Sequence, residues 1–131
     1  MIKKVAPILL LIFILAGCST KKEKANTDVE VANIFIKSFN AADFKEAASY
    51  MLDDKSNQDY FTTAQKSFVS KPVEELTAYK NADIIVHEVK PLNDSVTVID
   101  YSNSNKKDQH TNLKLVKQSG QWLVDLKFTF Q

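Results

Sequence analysis

Apolar residues recur along this chain with changing period, and each change marks a boundary. Val5 to Ala16 is an almost unbroken apolar run behind Lys3 and Lys4. From Thr27 the spacing becomes helical, with Val31, Ile34, Phe35, Ser38, Phe39 and Ala42 on one face and Glu30, Asn33, Lys37 and Asn40 on the other. Thr27 and Glu30 stand at the spacing of a capping box, which starts the helix there. A second segment has Phe44, Ala47, Ala48 and Met51 on one face and Asp43 in its first turn, where the helix dipole favours a carboxylate. The polar stretch Asp53-Asp54-Lys55-Ser56-Asn57 reads as a break at a helix end. A weaker helical pattern carrying Phe61, Ala64 and Phe68 follows, Pro72 ends it, and Val73, Leu76 and Tyr79 add a turn or two.

From Ala82 the period falls to 2. Residues 82–90, 95–101, 111–117 and 121–130 are β-branched or aromatic-rich runs, and the spacers between them are turn-like. Short connections imply an antiparallel meander. In the last run Trp122, Val124, Leu126, Phe128 and Phe130 alternate with Gln121, Asp125, Lys127 and Thr129. The expected class is α+β, with N-terminal helices packed on one face of a four-stranded antiparallel meander sheet, which the resemblance given below implies is curved.

The first apolar run has a separate meaning. Its twelve residues fall short of the roughly 20 that a membrane-crossing helix needs, so it reads as a removable export signal. It ends in Leu15-Ala16-Gly17-Cys18, and Cys18 is the only cysteine in the chain. That element resembles the lipobox of bacterial lipoproteins. The resemblance implies cleavage between Gly17 and Cys18 and acylation of Cys18, so that membrane lipid becomes the first partner. Small side chains suit the peptidase and the thiol supplies the nucleophile. The organisation expected is a signal over 1–17, a lipidated cysteine with a flexible tether over 18–26, and one domain over 27–131. The chain would be exported and lipid-anchored at the cell membrane or outer membrane, on the periplasmic or surface side.

Without residues 1–17 the chain has 114 residues, 15 lysines, no arginine and 16 acidic residues. This near-neutral balance, lacking the usual bidentate phosphate ligand, argues against nucleic acid as a partner. With one cysteine no internal disulfide can form, so the fold rests on its core.

The helix-linking Asn40-Ala41-Ala42-Asp43-Phe44 and the late Ser119-Gly120-Gln121-Trp122-Leu123-Val124-Asp125 resemble the nuclear transport factor 2-like (cystatin-like α+β) superfamily. More narrowly, they are similar to its small bacterial lipoproteins of unknown function. The resemblance spans about residues 27 to 131 and implies a cone with a pocket at its open end. Functions within the superfamily range from isomerases and dehydratases to binding modules. Its isomerase branch uses a tyrosine on the first helix, where this chain offers only Phe35 and Phe39.

Candidate pocket residues are Phe35, Phe39, His87, Asp100, Tyr101, Trp122 and Phe128. Asp100 and Tyr101 are adjacent in a strand, so one of them faces the helices. An inward Asp100 would suit acid-base work, but a buried acid is costly and favours Tyr101 as the inward residue. His87 shares its expected face with Ile85 and Val89, while His110 stands alone. Neither belongs to a cluster with metal-ligand spacing, and Asp53-Asp54 lacks the glycine and spaced carboxylates of a calcium loop, so no metal site is expected. Gly120, the only glycine after Gly17, suits a hairpin turn, which leaves no phosphate-binding loop and no implied cofactor. The expected function is binding without catalysis, of a small apolar ligand or an envelope protein, with a small isomerase or dehydratase as the alternative.

Overall fold

The computed structural model describes residues 24–129. The expected signal, Gly17, Cys18 and most of the expected tether therefore lie outside the described residues, as does Phe130. Four helices come first: α1 (Asp28–Asn40), α2 (Phe44–Ala48), α3 (Lys55–Val69) and α4 (Val73–Asn81). Four strands follow, β1 (Ile84–Asn93), β2 (Val96–Asn103), β3 (Thr111–Gln118) and β4 (Gln121–Asp125), and a single helical turn α5 (Leu126–Thr129) comes last. The strands form one antiparallel meander in the order β1-β2-β3-β4. The fold class is α+β, helices followed by a four-stranded antiparallel sheet.

Local chemistry explains the boundaries. The Thr27 hydroxyl accepts from the Glu30 amide at 3.2 Å and starts α1. The helix ends where Ala42 takes φ 59°, letting the Asp43 amide donate back to the Ser38 carbonyl at 2.8 Å and the Ala42 amide to Phe39 at 2.9 Å. This is a Schellman closure with alanine in the left-handed position that glycine usually fills. It turns the chain sharply enough for α2 to fold back on α1.

The core lies between α1 and one face of the sheet. Val31, Ala32, Phe35 and Ile36 pack against Ile99, Leu113, Leu115 and Val124, all buried. The Thr97 hydroxyl, buried under α1, donates to the Asp28 carboxylate at 2.8 Å and ties the start of the helix to the start of β2. Toward the end of α1 the rings of Phe35, Phe39, Phe44, Phe61, Phe68 and Tyr79 meet mostly edge to face, with centroids 5.2 to 6.4 Å apart. That geometry adds about 0.5 to 1.5 kcal/mol per pair beyond area burial.

Four local expectations are corrected. The 53–57 stretch is a helix start, because the Asp54 side chain caps α3 by accepting from the Asn57 amide at 2.8 Å. β1 continues through Pro91 to Asn93, since an edge strand tolerates a missing amide donor, and Asp94-Ser95 form the turn. Asn40, expected on the polar side of α1, is buried and donates to the Asn103 side chain at 2.8 Å. The last strand stops at Asp125, and Leu126–Thr129 coil into a helical turn. The Ser119-Gly120 turn has φ 50° and 76° and joins Gln118 to its partner Gln121, the two-residue loop that matches strand twist.

The cause of the early strand end is Asn57. Its side chain is 0% exposed, its Oδ1 accepts from the Leu126 amide at 2.6 Å, and its Nδ2 donates to Asp54 at 3.0 Å and to the buried Asp125 at 3.3 Å. Lys127 adds ammonium contacts to Asp54 at 2.9 Å and Asp125 at 3.3 Å. Hydrogen bonds from the Asn57 amide, then from Lys127 and the Asn57 side chain, hold the Asp54 carboxyl down to about 2. The stability this gives is present above the ordinary carboxyl pKa near 4 and is lost as pH falls through about 2. Removing the side-chain amide in Asn57→Ala strands the Leu126 donor and takes one hydrogen bond from the buried Asp125, which keeps Lys127. We expect a loss of about 2 to 4 kcal/mol in urea unfolding; a loss within about 0.5 kcal/mol, the range of an ordinary surface change, would contradict the clasp.

Candidate functional site: an apolar cavity at one end of the sheet

β2 alternates so that Thr97, Ile99 and Tyr101 face α1, while Val98 and Asp100 face away. Beside Tyr101 the helices and sheet do not close completely. A cavity of about 210 Å³ remains, and Phe35, Phe39, Tyr101 and Leu113 form its apolar walls. Asn40, Thr111 and Thr129 supply polar atoms, while Ile36, Phe61, Ala64 and Leu126 complete the lining. A cavity of roughly 150 Å³ walled by apolar residues can hold benzene, so this one accommodates a molecule of about that size or slightly larger.

Three of the seven expected pocket residues, Phe35, Phe39 and Tyr101, meet in this cavity. Asp100 and His87 lie on the opposite face of the sheet. The reason is a bulge: β1 pairs Val86 with Tyr101 and Glu88 with Asp100, leaving His87 without a partner. One extra residue flips everything beyond it, so Ile85 and Val89 sit on opposite faces and the face expected for His87 is corrected. His87 stacks on His110 with centroids 4.0 Å apart, and its Nε2 lies in a 2.8 Å hydrogen bond with the buried Ser102 hydroxyl. His110 donates from Nδ1 to the Asp100 carboxylate at 2.9 Å. Among the described residues no group of three or more ligating side chains could hold a metal ion. Trp122 packs against the core near the β3–β4 turn, with Lys117 over its ring at 5.9 Å, and is not in the cavity wall. Phe128 projects from α5, 41% exposed, because the strand it was assigned to has already ended.

Leu113 and Thr111 were not among the expected pocket residues, although they share the inward face of β3 with Leu115 and alternation along that strand is the signal that could have found them. Nothing in the sequence pointed to Asn40, whose amide reads as surface until Asn103 is seen opposite it.

Tyr101 is the one titratable residue in the wall. Burial pushes its phenol up to about 12, and the neighbouring Thr111 hydroxyl moderates the rise. At neutral pH it is a hydroxyl that can donate or accept, beside the hydroxyls of Thr111 and Thr129 and the Asn40 amide. The Thr129 hydroxyl is buried with no hydrogen-bond partner among the described residues. Chemically the cavity offers apolar contact with a few polar fixing points.

Compared with known proteins, the chain matches no family model, no curated protein and no solved structure. No helix among the described residues is long and apolar enough to cross a membrane.

The phenol makes this geometry measurable. Folding favours the neutral form, so stability falls as pH rises from about 10 toward about 12. Ultraviolet titration should show Tyr101 ionising later than an ordinary tyrosine. That late step should vanish in Tyr101→Phe; its persistence in the variant would place Tyr101 outside the cavity.

Proposed function

We propose that this protein is a bacterial envelope lipoprotein, anchored through acylated Cys18, whose domain of nuclear transport factor 2-like type binds a small, largely apolar ligand without transforming it. The helices-then-meander order and the cavity between α1, α3 and the sheet are compatible with the cone expected for that superfamily. The observation that carries the binding reading is the composition of the cavity wall. Its lining residues offer apolar contact, three hydroxyls and an amide, with no carboxylate or imidazole among them. Such a surface suits retention, whereas isomerisation or dehydration needs a base within hydrogen-bond reach of the reacting atom. Asp100 and His87, the acid-base candidates, are separated from it by the sheet. Anchoring is supported by Leu15-Ala16-Gly17-Cys18 behind a charged start and a twelve-residue apolar run. Two or more acyl chains bind firmly where one does not.

A protein-contact module is the second reading. Val96, Val116 and Leu123 pair across three strands as one row, and none of them is fully buried. That row has the makings of a contact surface for another envelope protein.

Mass spectrometry of the protein extracted from its own host tests both parts of the main reading. The denatured mass should equal the chain from Cys18 plus a lipid group, and a native spectrum should show a further discrete mass that denaturation releases. A denatured mass that includes residues 1–17, or lacks lipid, would overturn the anchor. A native mass equal to the covalent one would favour the protein-contact reading.

A further inference from the structure

The two ends of the sheet differ, and the chain enters the domain at one of them. The Gln121 side chain donates to the Ala25 carbonyl at 3.0 Å, and Lys24 reaches the Ser49 carbonyl at 3.2 Å and lies over the Tyr50 ring at 5.1 Å. Residues 24 and 25 are thus fixed beside the start of β4. Both hairpin turns are at this end, because the Lys117 amide donates to the Ser95 carbonyl at 2.8 Å. The start of α1 is here too, held by Thr97 and Asp28. The cavity uses the opposite ends of the same elements: Phe39 and Asn40 late in α1, Tyr101 late in β2, Thr111 first in β3. At 1.5 Å per residue along a helix and about 3.3 Å along a strand, the cavity lies roughly 17 Å from the turns.

We propose that the hairpin end is a membrane-facing surface, so that the cavity opens away from the lipid. The proposal rests on the lipoprotein reading, since the tether length decides it. Cys18 and Lys24 are six residues apart, which gives about 21 Å fully extended and about 12 to 15 Å as a flexible coil. A domain of this length has a radius of gyration near 13 Å and so a diameter of about 33 Å. Turning the cavity end toward the membrane would lift Lys24 by nearly that diameter, beyond the taut tether. Lying on a side would lift it by about half and leave the tether almost straight. End-on docking through the turns leaves it slack.

The surface at this end suits lipid. Leu92, unpaired in the β1–β2 register, is 54% exposed near the tip of that hairpin. Trp122 is partly exposed beside the other turn, under Lys117. Lys24 and Lys117 are exposed there and are matched by Asp28, Glu30 and Asp94, so the apolar side chains carry the contact.

The test uses the lipidated protein in phosphatidylethanolamine/phosphatidylglycerol vesicles carrying nitroxide-labelled lipid. Cys18 carries the lipid on its sulfur, so a fluorophore can be placed at Leu92→Cys or, at the far end, at Lys107→Cys, both exposed sites. Quenching at Leu92→Cys should exceed that at Lys107→Cys several-fold. Equal or reversed quenching in protein that carries lipid and floats with the vesicles overturns the orientation alone. Protein that proves unlipidated and does not float overturns the anchor and the orientation together.

Discussion

A single buried amide organises the far end of this domain. Asn57 has no solvent contact, and its side chain joins the start of α3, the end of β4 and the first amide of α5. A polar group so placed is costly unless every bond is made, and here the three partners come from two stretches of chain about 70 residues apart. The chain beyond Asp125 cannot extend the sheet while Leu126 donates to Asn57, so it coils and sends Leu126 inward and Phe128 outward. α3, pinned at its first turn, then lays Phe61 and Ala64 along the cavity. Fold and site depend on the same contact.

The parts of this arrangement written in local pattern were legible in the sequence. Thr27 capped the helix expected of it, the meander followed from alternation and short spacers, and Gly120 took its hairpin position. What escaped was set by residues distant in sequence. Asn57 and Asn40 are polar residues on helices, and only partners 69 and 63 positions away make them interior. Asp54 was hidden differently, because a run of five polar residues conceals which one is the cap. His87 illustrates a third cause. A bulge changes the face of every later residue, and in β1 no turn residue or glycine announces it.

The site was legible in part for the same reason. Phe35 and Phe39 lie on the helical stripe, and Tyr101 lies on the inward face of β2 once an inward acid is judged too costly. Trp122 and Phe128 were grouped with them by alternation along a strand that does not persist to Phe128. The resulting domain is polar in the directional sense. Chain entry and both hairpin turns occupy one end of the sheet, and the cavity occupies the other.

The most direct test of a cavity that receives a small apolar ligand is a titration of the lipid-free chain from residue 19 with toluene, followed by methyl resonances. Leu113, Ile36 and Leu126 line the cavity, whereas Leu115 and Val124 are packed core. Saturable shifts confined to the first three, and abolished when Ala64→Phe fills the space, are the predicted result. Shifts spread evenly over both groups, or unchanged by Ala64→Phe, would contradict the account.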